Sequence, residues 1–356
     1  MTKTSISFLG ITVASTVFLL ALQVPALPCS RVLWNQDGKT VVVGRSMDYF
    51  FPLPANLWLL PRGIVRDGMT GPNTLKWTAR YGSAVVADFI ASDGMCEQGF
   101  VADGMNEKGF AAHTLWLSES DYGARDEKLP GLSIGLWVQY FLDNFATVKG
   151  AVEFVQRTPF QIVPILGQPL HLVIEDGTGD SAVIEYIGGK AKIYHGREYT
   201  VATNSPTFDR QIELLKEYKT LGGEKPLPGT TDPADRFVRG AYYLKTLPQP
   251  ADWWQCVTGV LSVVRNLSQP FVKADPSQPY LAATQWLTIA DLTDLTYYFG
   301  STTSPNIVWV RLPQVDFAEG APVKKLDLLK EPVRAGDTLK QFETAKPFVV
   351  PPVAGK

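Results

Sequence analysis

The chain of 356 residues is 45% hydrophobic and 19% charged with a formal net charge of -2, the makeup of a polypeptide that folds around a sizeable core. Without a basic excess to release counterions, neither nucleic acid nor an anionic membrane surface is expected as a partner. Three cysteines (Cys29, Cys96, Cys256) and three histidines (His113, His171, His195) are too scattered for a zinc site or a disulfide framework. No cofactor is expected, and pairing of Cys96 with Cys256 is left open.

Residues 1–28 read as an export signal followed by a short propeptide. Lys3 gives a positive start, Ile6 to Leu22 is largely apolar, and Val24-Pro25-Ala26 offers a cleavage site. The apolar run is short for a membrane span and carries Ser and Thr. Pro28 stands where a lipid-modified cysteine would be preceded by a small residue. The expectation is a periplasmic or secreted protein headed by Cys29, with residues 29–356 as one domain and no stable membrane association after processing.

In chain order, Arg31 to Asp48 reads as a hairpin closed at Asp37-Gly38, so that Cys29 opens a sheet edge. Asn56 to Pro61 and Ser83 to Ile90 read as strands. Phe100 to Leu117 gives two more, turned at Asn106-Glu107-Lys108-Gly109. Leu132 to Phe145 carries apolar residues at helical spacing, and Thr147 to Arg157 a second amphipathic helix with Thr147 as N-cap. His171 to Tyr186 is a hairpin, followed by strands at Ala191 to Tyr194 and Tyr199 to Ala202. Helices are predicted over Phe208 to Tyr218, Ala234 to Leu247 and Asp252 to Val264. Thr284 to Phe299 forms a last hairpin, Ile307 to Arg311 a further strand, and the tail beyond Pro313 is expected to wrap the surface. Sheet, helices, sheet, helices, sheet predicts two packed sheets with helices outside.

A cysteine at a new N-terminus joins a nucleophile to its own base. The free thiol titrates at about 8.5 and the α-amine at about 7.7 to 8.0, so the amine can accept the thiol proton. Arg45, brought within about 4 Å across the hairpin, would attract a thiolate by about 4 kcal/mol at an effective dielectric near 20, before solvation losses. On that reckoning the thiol pKa falls by about one to two units. Asp48 is placed to orient the amine.

Cys29, Gly44-Arg45-Ser46-Met47-Asp48, Asn106-Glu107-Lys108-Gly109, Thr203-Asn204-Ser205-Pro206-Thr207-Phe208-Asp209, Arg236-Phe237-Val238-Arg239 and Thr284-Gln285-Trp286 occur in this order. Together they resemble the choloylglycine hydrolase family of penicillin V acylases and conjugated bile salt hydrolases, which are N-terminal nucleophile hydrolases of linear amides. The resemblance implies an α+β fold, a four-layer αββα sandwich of two antiparallel sheets flanked by helices. It implies that Cys29 attacks the amide carbonyl, Arg45 lowers the thiol pKa, Asp48 holds the amine, Asn204 donates to the oxyanion and Arg236 completes the charge network. A backbone N–H aligned with Trp116 would be the second oxyanion donor, and Trp116 would also shape the pocket. Arg239 is read as structural, His113 as a half-buried core or pocket residue, and Cys96 and Cys256 as inert.

Trp34, Trp58, Trp77, Trp116 and Trp137 favour a pocket for an aromatic or aliphatic acyl group, although several must be core. Asn56-Leu57-Trp58 with Pro61-Arg62-Gly63 looks like the Gram-negative branch of the family, which takes penicillin V and, in some members, N-acyl homoserine lactones. The expected substrate is thus a small-molecule N-acyl amide. Conjugated bile salts are the alternative, and a non-catalytic binding homologue the second. Only residues 205–235 separate Asn204 from Arg236, shorter than the segment that ties longer relatives into tetramers, so a homo-oligomer is left open.

Overall fold

The structure, a computed structural model, describes residues 29–49, 52–89, 99–165, 167–272, 282–331 and 333–353. The expected leader and Cys96 lie outside them. Two sheets dominate. The first runs, in spatial order, Val201–Ala202, Cys29–Trp34, Val42–Tyr49, Ala283–Asp291, Thr296–Ser301, Val308–Arg311 and Gly336–Asp337. The second runs Lys190–His195, Ser181–Ile187, Leu170–Asp176, Phe110–Trp116, Gly99–Asn106, Ser83–Phe89, Ala55–Leu60, Lys324–Leu326 and Glu343–Thr344. Within both, the pairing is antiparallel except between Val308–Arg311 and Gly336–Asp337.

Five α-helices are described: α1 (Trp137–Asn144), α2 (Val148–Arg157), α3 (Phe208–Leu215), α4 (Pro233–Thr246) and α5 (Trp253–Leu267). α4 and α5 cover the outer face of the first sheet, and α1 and α2 that of the second. The result is the αββα sandwich anticipated from the sequence. Alternation along the strands builds it. In Ala55–Leu60, Leu57 and Leu59 enter the core between the sheets, whereas Trp58 and Leu60 enter the cluster under α1 and α2, because successive side chains point to opposite faces. α5 buries Cys256, Val257, Val260, Val263, Val264 and Leu267, one stripe at helical spacing. Asp252 starts it by accepting the Gln255 N–H at 2.8 Å.

Several expectations needed correction. The segment predicted as one helix over Leu132 to Phe145 begins instead as a strand, Gly131–Ser133, paired in parallel with Gln161–Val163, and a 3-10 turn at Ile134–Leu136 precedes α1. Its backbone is claimed from the side: the Leu75 N–H donates to Gly131 O at 2.8 Å and the Ser133 N–H to Gly68 O at 2.7 Å, which leaves no helical partners for those groups. α3 stops at Leu215 rather than Tyr218. Cys29 does not open an edge, because Val201–Ala202 pairs alongside Arg31 and Val32. The tail joins both sheets and buries Phe348 and Val350. Thr147 caps α2 as expected, accepting the Gly150 N–H at 3.2 Å. No helix among the described residues is long and apolar enough to cross a membrane.

Candidate active site

Register decides which side chains meet. Cys29 lies opposite Met47 and Arg31 opposite Arg45. Directly opposed residues share a face, so these four project between the sheets. Ser30, Ser46 and Asp48 have the opposite parity and face the helical layer. A bulge at Gln285 keeps Thr284 beside Asp48 while bringing Trp286 opposite Met47. The Trp286 ring therefore enters the inter-sheet layer, where the Arg45 guanidinium sits 4.9 Å from its centroid.

Three atoms of Cys29 are each held by a different residue. Its backbone N–H donates to Asn204 Oδ1. Its carbonyl accepts from Arg236 Nη1 at 2.7 Å. Its Sγ lies 4.0 Å from Arg45 Nη2. Arg236 comes from α4 and also donates to Ser30 Oγ and to Asn204 Oδ1 at 3.0 Å, with Asp48 Oδ2 at 3.8 Å. Thr284 donates its hydroxyl to Asp48 Oδ1. Arg45 is anchored by the carbonyls of Ala102 and Thr114, both at 2.6 Å, and by Asp103 Oδ2 at 3.3 Å. Cys29 is 3% exposed, and Arg45, Asp48, Asn204 and Arg236 are fully buried.

Asn204 uses an N–H of its amide nitrogen on the Trp116 carbonyl, at 3.0 Å; that nitrogen carries two hydrogens. The strand Phe110–Trp116 pairs with Gly99–Asn106 only as far as His113. Beyond that point its main chain turns to the site, Thr114 O accepting Arg45 and Trp116 O accepting Asn204. A strand residue directs its N–H and C=O to the same side, so the Trp116 N–H faces the site as well. The Trp116 indole packs in the cluster on the outer face of the second sheet, so what it offers the thiol is main chain.

Burial dominates the electrostatics. It pushes the Cys29 thiol up, and the opposing pull of Arg45 and Arg236 does not overcome it. The lowering expected from Arg45 is present as a contribution and outweighed by desolvation. Burial likewise pushes Asp48 up to about 6, against Arg236 and the Thr284 hydrogen bond.

The structure thus brings Cys29, Arg45, Asp48, Asn204, Arg236 and the Trp116 main chain together. It places other sequence candidates elsewhere. Asn106 organises its turn, accepting from the Lys108 and Phe110 N–H groups and donating to Leu142 O and Phe145 O. Arg239 holds Thr230 O at 2.6 Å. Trp34, Trp58, Trp77 and Trp137 are core. Cys256 is a buried free thiol. His113 is fully buried rather than half-buried and lies between Asp103 and Glu175. Sequence reasoning missed Arg31, Asp103, Glu175 and Tyr297, which surround the Arg45 side of the site. Their signal was there in the hairpin: two arginines opposed on one inward face call for carboxylates from the facing sheet. Trp286 also lines a cavity of about 260 Å³ with Leu53, Phe299, Val308 and Leu328.

Comparison with known proteins gives the family and the fold. The family model for linear amide C–N hydrolases of the choloylglycine hydrolase family matches residues 29–327. Penicillin V acylase of Pectobacterium atrosepticum is 38% identical, over 98% of this chain and 96% of its own length. The solved structure of penicillin V acylase from Agrobacterium tumefaciens superposes with a TM-score of 0.82 at 41% identity, covering 90% of this chain and 99% of that one. The bile salt hydrolase/transferase of Clostridium perfringens is 28% identical over 56% of this chain and 66% of its own length.

Proposed function

This chain belongs to the choloylglycine hydrolase family and is a hydrolase of linear amides; on that premise we propose that it is exported, loses residues 1–28, and cleaves N-acyl amides with Cys29 as an N-terminal nucleophile. The observation that carries the reading is the convergence on one residue: Asn204 at its nitrogen, Arg236 at its carbonyl and Arg45 at its sulfur.

Removal of the preceding residues converts the Cys29 amide into an α-amine next to its own thiol. The thiol proton passes to that amine, and the sulfur bonds to the amide carbon while the carbonyl pair moves onto oxygen. An Asn204 N–H and the Trp116 backbone N–H receive the oxyanion; one such donor contributes about 3 to 4 kcal/mol. The C–N bond then breaks, and the leaving amine takes the proton from the ammonium. Water attacks the thioester, gives a proton to the α-amine, and the C–S bond breaks to release the carboxylic acid and restore the thiol. Asp48 holds the amine, and Arg45 steadies the sulfur's charge.

The relatives point to penicillin V as the first substrate, and the apolar walls around Trp286 suit an aromatic or aliphatic acyl group. Long-chain N-acyl homoserine lactones and glycocholate are the competing substrates. Intact mass should show a chain beginning at Cys29, and the three substrates should be tested side by side. Cys29→Ser should abolish release of phenoxyacetate from penicillin V; full activity in that variant would refute the nucleophile.

A further inference from the structure

Arg31 and Arg45 are directly opposed on one face of the first sheet, an arrangement of like charges that costs stability unless it is answered. The answer comes from the second sheet. Glu175 takes Arg31 through Nε at 3.1 Å and Nη2 at 3.2 Å, and Asp103 takes Arg45. Between the two carboxylates stands His113, on a strand position paired with Asp103 on one side and Val173 on the other. Its Nδ1 meets Asp103 Oδ2, and its Nε2 meets Glu175 Oε1 at 2.8 Å. Tyr297 closes the end by donating its hydroxyl to Asp103 Oδ1. Every side chain in this row is 0 or 1% exposed.

We infer that His113 and Asp103 are positioning residues for the nucleophile, holding the Arg45 guanidinium against the sulfur and supplying the charge that a thiolate at Cys29 requires. The inference rests on the nucleophilic role proposed for Cys29. Both neighbours of the imidazole accept hydrogen bonds, so the ring satisfies them together only as the doubly protonated cation. Burial opposes that form, yet Asp103 and Glu175 prevail and raise His113 to about 9. The charged groups packed in its row leave it decisive: Arg31 and Arg45 are answered by Glu175 and Asp103, two against two, and Tyr297 keeps its proton. Within this inter-sheet row protonated His113 is then the one uncancelled positive charge, and it joins the α-ammonium formed when the thiol proton passes to the amine in balancing the thiolate. Discharging it would remove the inter-sheet share of that balance in a water-poor layer.

The test uses the enzyme as purified, with Cys29 alkylation by iodoacetamide followed by peptide mass spectrometry across pH. In His113→Gln the thiol pKa should rise by about one unit, making alkylation about tenfold slower well below that pKa. The kcat for penicillin V should fall comparably while KM stays within about twofold, and His195→Gln, at a partly exposed pair with Asp180, should match wild type. Superposable alkylation profiles for His113→Gln and wild type would overturn the inference. Should the variant not fold, the wild-type protein decides: long-range nitrogen correlation spectra should show His113 as imidazolium at pH 7, and a neutral ring there overturns it. Alkylation requires no amide turnover, so this outcome stands apart from any failure of the proposed function, which Cys29→Ser reports.

Discussion

Arg236 donates to Asn204 Oδ1 at 3.0 Å, tying α4 to the segment that follows Val201–Ala202 beside the Cys29 backbone. The same guanidinium serves the Cys29 carbonyl and faces Asp48. A lysine keeps the charge and loses the planar fork. Arg236→Lys should therefore lower kcat/KM by about 100-fold, mostly in kcat, the scale of a misplaced catalytic group. Arg236→Ala also strips Asp48 of a buried cation and should cost about 3 to 5 kcal/mol in urea unfolding. Kinetics close to wild type in both variants would remove Arg236 from the site.

Asp48 makes a pH prediction whose sign runs against the usual carboxylate. Burial raises it from 3.8 to about 6, so the folded state binds this proton more tightly than the unfolded state. Its contribution to stability is full below about pH 4 and is lost as the pH rises through about 6. The difference of about 2 units corresponds to about 3 kcal/mol. Asp48→Asn cannot titrate, so its unfolding free energy relative to wild type should improve by about that amount between pH 4 and 7. In the proposed mechanism Asp48 holds the amine in its charged form, so wild-type kcat/KM should show an acid limb near pH 6. A stability difference that is flat across this range would contradict the assignment.

Much of the site was legible in sequence because it hangs on local features. A hairpin with a recognisable turn sets Cys29 and Arg45 on one face, and Asn204 and Arg236 follow from motifs in fixed order. The sandwich was legible from the alternation of sheet and helix segments. What escaped depends on partners distant in the chain. Gly131 to Ser133 has a helix-compatible pattern, but the Gly68 to Leu75 segment captures its backbone. His113 looked like an ordinary strand residue until Asp103 and Glu175 arrived on either side. Trp116 carried an aromatic side chain that suggested a pocket, while strand parity sends Leu115 into the inter-sheet core and the indole into the outer cluster.

Gly44, on the strand that carries Arg45, packs directly under α5. A Cβ there would sit 2.5 Å from Val264 Cγ2, 2.7 Å from Ile289 Cδ1 and 2.9 Å from Val260 Cγ1. The obstacles are side-chain ends that can yield in part, so Gly44→Ala should destabilise by about 1 to 3 kcal/mol. Adding Val264→Ala should restore some of the loss, since the two changes share one contact. Strict additivity in urea unfolding would show that packing against α5 is not the reason for glycine.

The tail offers a test of whether it merely drapes the surface or completes the core. Phe348 meets the Trp58 ring edge-on, with centroids 5.2 Å apart, and Val349 O accepts the Gly99 N–H at 2.9 Å. Lys324–Leu326 already extends the second sheet beside Trp58, so the aromatic pair seals the outer end of the cluster under α1 and α2. Phe348→Ala should cost about 3 to 5 kcal/mol, the loss typical of a buried ring removed without collapse. Because that cluster faces away from Cys29, kcat of the folded fraction should stay near wild type. A loss below about 1 kcal/mol would be that of a surface residue and would return the tail to a wrapping role.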